Sequence, residues 1–176
     1  MNADVASDLR ISVSANFDVL MLVAHGVLLA YCTIWCMARL LPEGESLLVR
    51  TDFTDDTAWA QTLAAVIASY DEDTETGLTP VDDVNFNGLT PTELADLVDS
   101  QTYVFLADTT TMTDPEHPLL AVDTSDADAR GDCDGVFRIA PIAMAEVEVN
   151  FFLSNMDFED YANSVDDDGV FRGFDR

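Results

Sequence analysis

The chain contains no lysine, and basic residues of any kind are scarce. Seven arginines face 34 acids in 176 residues, for a formal net charge of −27 at pH 7 and a pI near 4.1. A body this negative repels phosphate, which excludes nucleic acid as a partner and disfavours anionic membrane surfaces. Histidine occurs twice, as His25 and His117, and cysteine three times, as Cys32, Cys36 and Cys133. An odd cysteine count, with two of the three inside an apolar run, is not a secreted disulfide framework. Two cysteines four apart, with no nearby histidine or further cysteine, do not make a zinc site. No serine or cysteine forms a catalytic motif with either histidine, and no glycine-rich loop cradles a phosphate. No cofactor is implied.

What is present is unevenly spread. Residues 1–41 hold three acids and two arginines, whereas residues 42–176 hold 31 acids and five arginines, net −26. Apolar residues make up 48% of the chain, enough for a core despite the charge. Three readings of the acidity stand side by side: solubility in a salty or crowded cytosol, an Asp-rich and Lys-poor genome, or a surface for a basic protein partner.

The division at residue 42 is sharpened by "VLMLVAHGVLLAYCTIWCMA" (19–38), about the length that spans a bilayer as a helix. Its flanks do not read as a signal peptide. Residues 1–41 are therefore an apolar N-terminal extension. They are a membrane-anchor candidate that would leave the domain in the cytoplasm, or the product of a start codon placed too far upstream, or a helix buried on the domain.

Residues 42–176 read as one acidic α/β domain. "SLLVR" (46–50) is a buried strand, and "DDTAWAQTLAAVIASY" brings Trp59, Leu63, Val66, Ile67 and Tyr70 to helical spacing behind a cap at Thr54 or Asp55. A second strand is expected in "VDDVNFNG" (81–88). A second helix follows in "LTPTELADLVDS", where Thr90, Pro91 and Glu93 form a capping box. "TYVFLAD" (102–108) is the third strand. The order β-α-β-α-β predicts three parallel strands. Residues 109–118 are too short for a helical crossover, so "LLAVD" (119–123) and "VFRIA" (136–140) are expected as two antiparallel additions to a mixed sheet, followed by C-terminal helices. The last helix is predicted to start near Asn155 behind Ser154 and Asp157 and to end near Val165. Asp166, Asp167 and Asp168 then form a turn, and Phe171 and Phe174 fold back as anchors. On this reading, replacing the Asp triplet with Asn is neutral or slightly stabilising, because it removes anions from a helix C-terminus; the contrary outcome would mean that the triplet holds a metal or an arginine such as Arg172.

The stretches "LLVRTDFTDDTAW", "TDPEHPLLAVD", "FRIAP" and above all "NMDFEDYANSVDDDGVFRGF" resemble a family of small, acidic actinobacterial domains of unknown function, over about residues 45–176. The resemblance implies a shared fold and no activity. Residues 1–41 and the long acidic loop 124–135 depart from it.

Two constellations bear on chemistry. Asp52 and Asp108 end the first and third predicted strands, where parallel α/β sheets gather ligands, so they are the candidate metal ligands of a metal-dependent enzyme or receiver-like domain. Against the receiver comparison stand the missing lysine and the missing crossover after the third strand. In "DTSDADARGDCDG" (123–135), Asp126, Asp128 and Gly131 match a calcium loop, but Arg130 and Phe137 fall where oxygen ligands are required. With no catalytic grouping, the sequence favours a non-catalytic intracellular interaction or immunity-type module, located in the cytoplasm. The alternatives are the metal-dependent reading and a membrane-tethered domain acting through residues 19–38.

Overall fold

The computed structural model describes residues 39–44, 46–71, 77–98, 103–125 and 135–174. Its centre is a six-stranded mixed sheet in the order β2-β1-β3-β4-β5-β6. The strands are β1 (Ser46–Arg50), β2 (Leu78–Val81), β3 (Tyr103–Ala107), β4 (Leu119–Asp123), β5 (Val136–Ile139) and β6 (Val170–Phe171). β1 lies parallel to both β2 and β3, β4 runs antiparallel to β3 and β5, and β6 is parallel to β5. The expected parallel trio and the antiparallel pairs are both present. β6 is an addition the sequence did not announce, since two residues carry no period.

The first helix, α1 (Asp56–Ile67), is capped by Asp55, whose side chain accepts from the backbone N–H groups of Thr57 and Ala58. Trp59 and Val66 face the core, but Ile67 is 63% exposed, contrary to the expected apolar stripe. The second strand lies at Leu78–Val81 rather than within 81–88, whose middle is a 3-10 turn at Val84–Phe86. Pro80 sits inside β2 and has no N–H to give; the strand is at the sheet edge, where that donor is dispensable. The next helix, α2 (Pro91–Ala95), carries the expected capping box between Thr90 and Glu93. Residues 109–118 hold the short helix α3 (Thr109–Thr113), capped by Asp108, before the chain turns back into β4. A helix of five residues closes an antiparallel connection, as the missing crossover predicted.

The chain then forms α4 (Met144–Phe152) and α5 (Phe158–Ala162). The start of α5 corrects the expectation. Ser154 has φ of +52° and belongs to the preceding turn, so Asp157 is the N-cap and pairs with Asp160 in the capping box. The helix also stops at Ala162, three residues short of Val165.

Two cores pack on the two faces of the sheet. One buries Leu48, Phe105, Ala121, Phe137 and Ile139 against α1, α4, α5 and Phe171. The other buries Leu47, Val49, Val104 and Leu106 against Phe86, Leu89 and Leu94. Alternate residues of β1 and β3 thus point to opposite layers, as the period of a strand requires.

The expectation of a transmembrane helix, and of a membrane partnership through residues 19–38, is corrected. Among the described residues no helix is long and apolar enough to cross a membrane. The longest, α1, has 12 residues, against the roughly 20 that a span needs. Residues 19–38 themselves lie outside the described residues, as do the three cysteines, His25 and the calcium-like positions Asp126, Asp128, Arg130 and Gly131.

Candidate functional site

The chain leaves β1 for α1 and β2 on one side and returns to β3 on the other. The C-terminal ends of β1 and β3 therefore flank the point where the strand order reverses, the usual ligand crevice of an open α/β sheet. Asp52 and Asp108 both stand there, as predicted.

Each is fully engaged. Asp52 is buried and accepts from the Thr54 backbone N–H at 2.8 Å and from the Thr54 hydroxyl on Oδ1. On Oδ2 it accepts from the Thr109 hydroxyl at 2.6 Å. Asp108 caps α3 through the Thr111 N–H at 3.1 Å and holds a two-pronged ion pair with Arg138, at 3.0 and 2.7 Å. Thr109 follows Asp108 directly, so its hydroxyl links the two strand ends.

The electrostatics match. Burial of Asp52 opposes its charge, but hydrogen bonds from Thr109 and Thr54, with the Arg50 charge, hold its carboxyl below the ordinary range. Burial likewise opposes the charge on Asp108, and the Arg138 guanidinium and Thr111 outweigh it, so this carboxyl is also held low. A general base needs a pKa raised toward neutrality, and both groups are moved the other way. A cation bridging them would have to displace Arg138 from both oxygens of Asp108. Among the described residues no group of three or more His, Cys, Asp or Glu side chains is arranged to hold a metal ion.

Beside this point, on the β2 and α1 side of the β1 end, lies Arg50, which sequence reasoning passed over. Its side chain is buried, and it donates to the Asp52 carbonyl at 2.9 Å, to Asp56 at 2.7 Å and to Asp82 at 3.3 Å. The guanidinium lies over the rings of Phe53 and Trp59, 4.4 and 5.7 Å from their centroids. Trp59 Nε1 donates to the other oxygen of Asp82 at 3.2 Å. The signal was available: an arginine closing the apolar run Leu47–Val49 of a buried strand demands a partner just beyond the strand end.

Arg172, just after β6, is the third arginine at this end of the sheet. It donates to Glu116, Asp166 and Asp168 at 2.6–3.0 Å. Asp166 and Asp168 of the triplet thus form an arginine cage with Glu116, built on a tight turn in which Gly169 at φ of +80° donates its N–H to the Asp166 carbonyl at 2.8 Å. The arginine partner that the sequence named as the contrary case, Arg172, is in contact with two of the three aspartates. An open hollow beside it is lined by Val165, Asp166, Asp167, Asp168 and Arg172. His117 sits in the loop before β4 with φ of +54°, and its Nδ1 lies 2.8 Å from the Thr111 carbonyl.

A second polar group was also missed. Glu148 is buried on α4, where it accepts from Ser46 at 2.6 Å and from the Tyr70 hydroxyl at 3.3 Å. This pins α4 to the start of β1, at the opposite end of the strand from the crevice.

No curated protein matches the chain. Its residues 45–174, which span every element described above, match the family described as a domain of unknown function, DUF6924, and the chain belongs to that family.

Proposed function

We propose that the domain is a non-catalytic interaction or immunity-type module of the cell interior, whose partner is a basic protein. One observation carries this reading. Every described arginine is already bound within the fold: Arg39 to the carbonyls of Asn85 and Asn87, Arg50 to Asp56 and Asp82, Arg138 to Asp108, and Arg172 to its three carboxylates. The domain therefore offers no described cation to an anionic ligand, while its net charge of −26 over residues 42–176 draws cationic surfaces from a distance. The metal-dependent alternative at Asp52 and Asp108 is the weaker reading, because their oxygens are taken by threonines and Arg138.

Two measurements on the full chain test this. A screen for hydrolase, phosphatase and nucleotidase turnover, with and without Mg²⁺, is expected to show none. Affinity capture over a salt series is expected to yield a stoichiometric basic protein whose association rate falls as salt rises. Turnover lost in Asp52→Asn, or a stoichiometric partner that is itself acidic, would overturn the proposal.

A further inference from the structure

Residues 86–89 form a tight turn against the end of β1. The Leu89 N–H donates to the Phe86 carbonyl at 2.9 Å, with Asn87 at φ −56°, ψ 126° and Gly88 at φ of +73°. These are the angles of a type II turn, whose second central position calls for glycine. Phe86 and Leu89 are buried in the second core, so the turn is seated by its two ends, and Asn87 and Gly88 lie exposed between them. The Gly88 N–H donates to the Thr51 carbonyl at 2.8 Å, one residue before Asp52. Arg39 donates to the Asn87 carbonyl at 3.4 Å, which holds the plane of the peptide between Asn87 and Gly88.

Asn87-Gly88 is the chain's single Asn-Gly pair, and such a pair can modify itself. Base removes the Gly88 N–H proton, the nitrogen bonds to Asn87 Cγ, the Cγ–Nδ2 bond breaks and ammonia leaves. Water then opens the cyclic imide at either carbonyl, giving aspartate or isoaspartate. Glycine favours the attack because it has no side chain to shield the nitrogen. The fold opposes both requirements of this step. The proton that must leave is the one donated to Thr51. Ring closure also needs Asn87 Cβ and the Gly88 nitrogen eclipsed about the Cα–C bond, which is a strongly negative ψ outside the ordinary regions, whereas ψ here is 126°.

We propose that Asn87 is a latent self-modification site: the seated turn withholds deamidation, and opening of the turn releases it. The reaction waits until the segment lifts off β1, because only then are the Gly88 N–H and the Asn87 backbone free together. Isoaspartate at position 87 routes the main chain through the side chain and lengthens it by a methylene. The turn from Phe86 to Leu89 then no longer closes over Thr51, and its two buried anchors lose their seating. The step is one-way, since ammonia is lost, and it adds a carboxylate to a stretch that already holds Asp82 and Asp83. The segment thus records its own opening in covalent form.

The test incubates the full chain at mildly alkaline pH, folded and in urea, beside a free peptide of residues 84–91. Position 87 is followed by mass spectrometry that separates aspartate from isoaspartate. The chain in urea is expected to convert at the rate of the peptide, and the folded chain at least tenfold more slowly. Hydrogen exchange of the Gly88 amide in the folded chain should be slowed by a similar factor, since one opening frees both reactions. The isoaspartate-containing chain, once separated, should exchange its Gly88 and Leu89 amides faster than Asn87→Asp, which gains the charge without the extra methylene. Folded conversion at the peptide's rate, conversion while the Gly88 amide stays protected, or an isoaspartate chain that exchanges like Asn87→Asp would overturn the proposal.

Discussion

Arg172 and Glu116, 56 positions apart in the chain, form a two-pronged ion pair, Nε to Oε1 at 2.7 Å and Nη2 to Oε2 at 2.6 Å. The same guanidinium binds Asp166 and Asp168, so it ties the loop before β4 to the turn before β6. Removing it leaves three neighbouring carboxylates without their cation. Arg172→Met is expected to lower the melting temperature by several degrees. Asp166→Asn with Asp168→Asn should also lower it, while Asp167→Asn, at the exposed position between them, should not. Equal melting of all three would show that the cage contributes nothing.

Phe171 and Phe174 separate in the same tail. Phe171 is fully buried in β6, 5.0 Å from the Tyr161 ring and edge-on to it. Phe174 touches both rings but is 47% exposed. Phe171→Ala is expected to cost about 3–5 kcal/mol in urea unfolding, a large share of a domain stability of about 5–15 kcal/mol. Phe174→Ala should cost well under half as much. Similar losses would mean that the two rings share the anchoring.

Acid should unfold the domain in part through Asp108. Its folded pKa lies below the ordinary aspartate value of 3.8, so the unfolded chain takes up the proton first as pH falls. The stabilisation is complete above the unfolded value and is lost as pH falls toward and through the folded one. Asp52 is shifted in the same direction and adds to the effect. Stability measured from pH 6 to pH 2 should therefore fall below about pH 4, and Arg138→Met should flatten that fall. An unchanged slope in the variant would show that Arg138 is not what holds Asp108 ionised.

Salt should stabilise. With 34 acids against seven bases, self-repulsion outweighs the few ion pairs that salt weakens, and the Debye length shrinks from about 10 Å at 0.1 M to about 3 Å at 1 M. Melting temperature is expected to rise from low salt to molar KCl. A fall would place the arginine cages, rather than net charge, in control.

Local order was legible because its causes lie within a few residues of one another. The apolar runs of β1 and β3, period 3.6 in α1, the box from Thr90 to Glu93 and the short link 109–118 all declare themselves within a few residues of chain. The misses share a cause. β2 contains a proline that only an edge position permits and β6 is two residues long, so neither shows a period, while the apolar spacing of α5 was legible but its start is set by the left-handed Ser154, which no spacing marks. Asp52 and Asp108 were found because strand ends are predictable. Their partners were not: the link from Asp108 to Arg138 spans 30 residues, and that from Ser46 to Glu148 spans 102. The sequence by itself determined the acidity, the α/β order and the two strand-end aspartates, since composition and short-range periodicity need no knowledge of which strands neighbour which. Only the tertiary structure decided which few of the many acids meet the scarce arginines, because the sheet order sets those distances, and it turned the closing Asp triplet from an apparent solvated turn into the cage of Arg172.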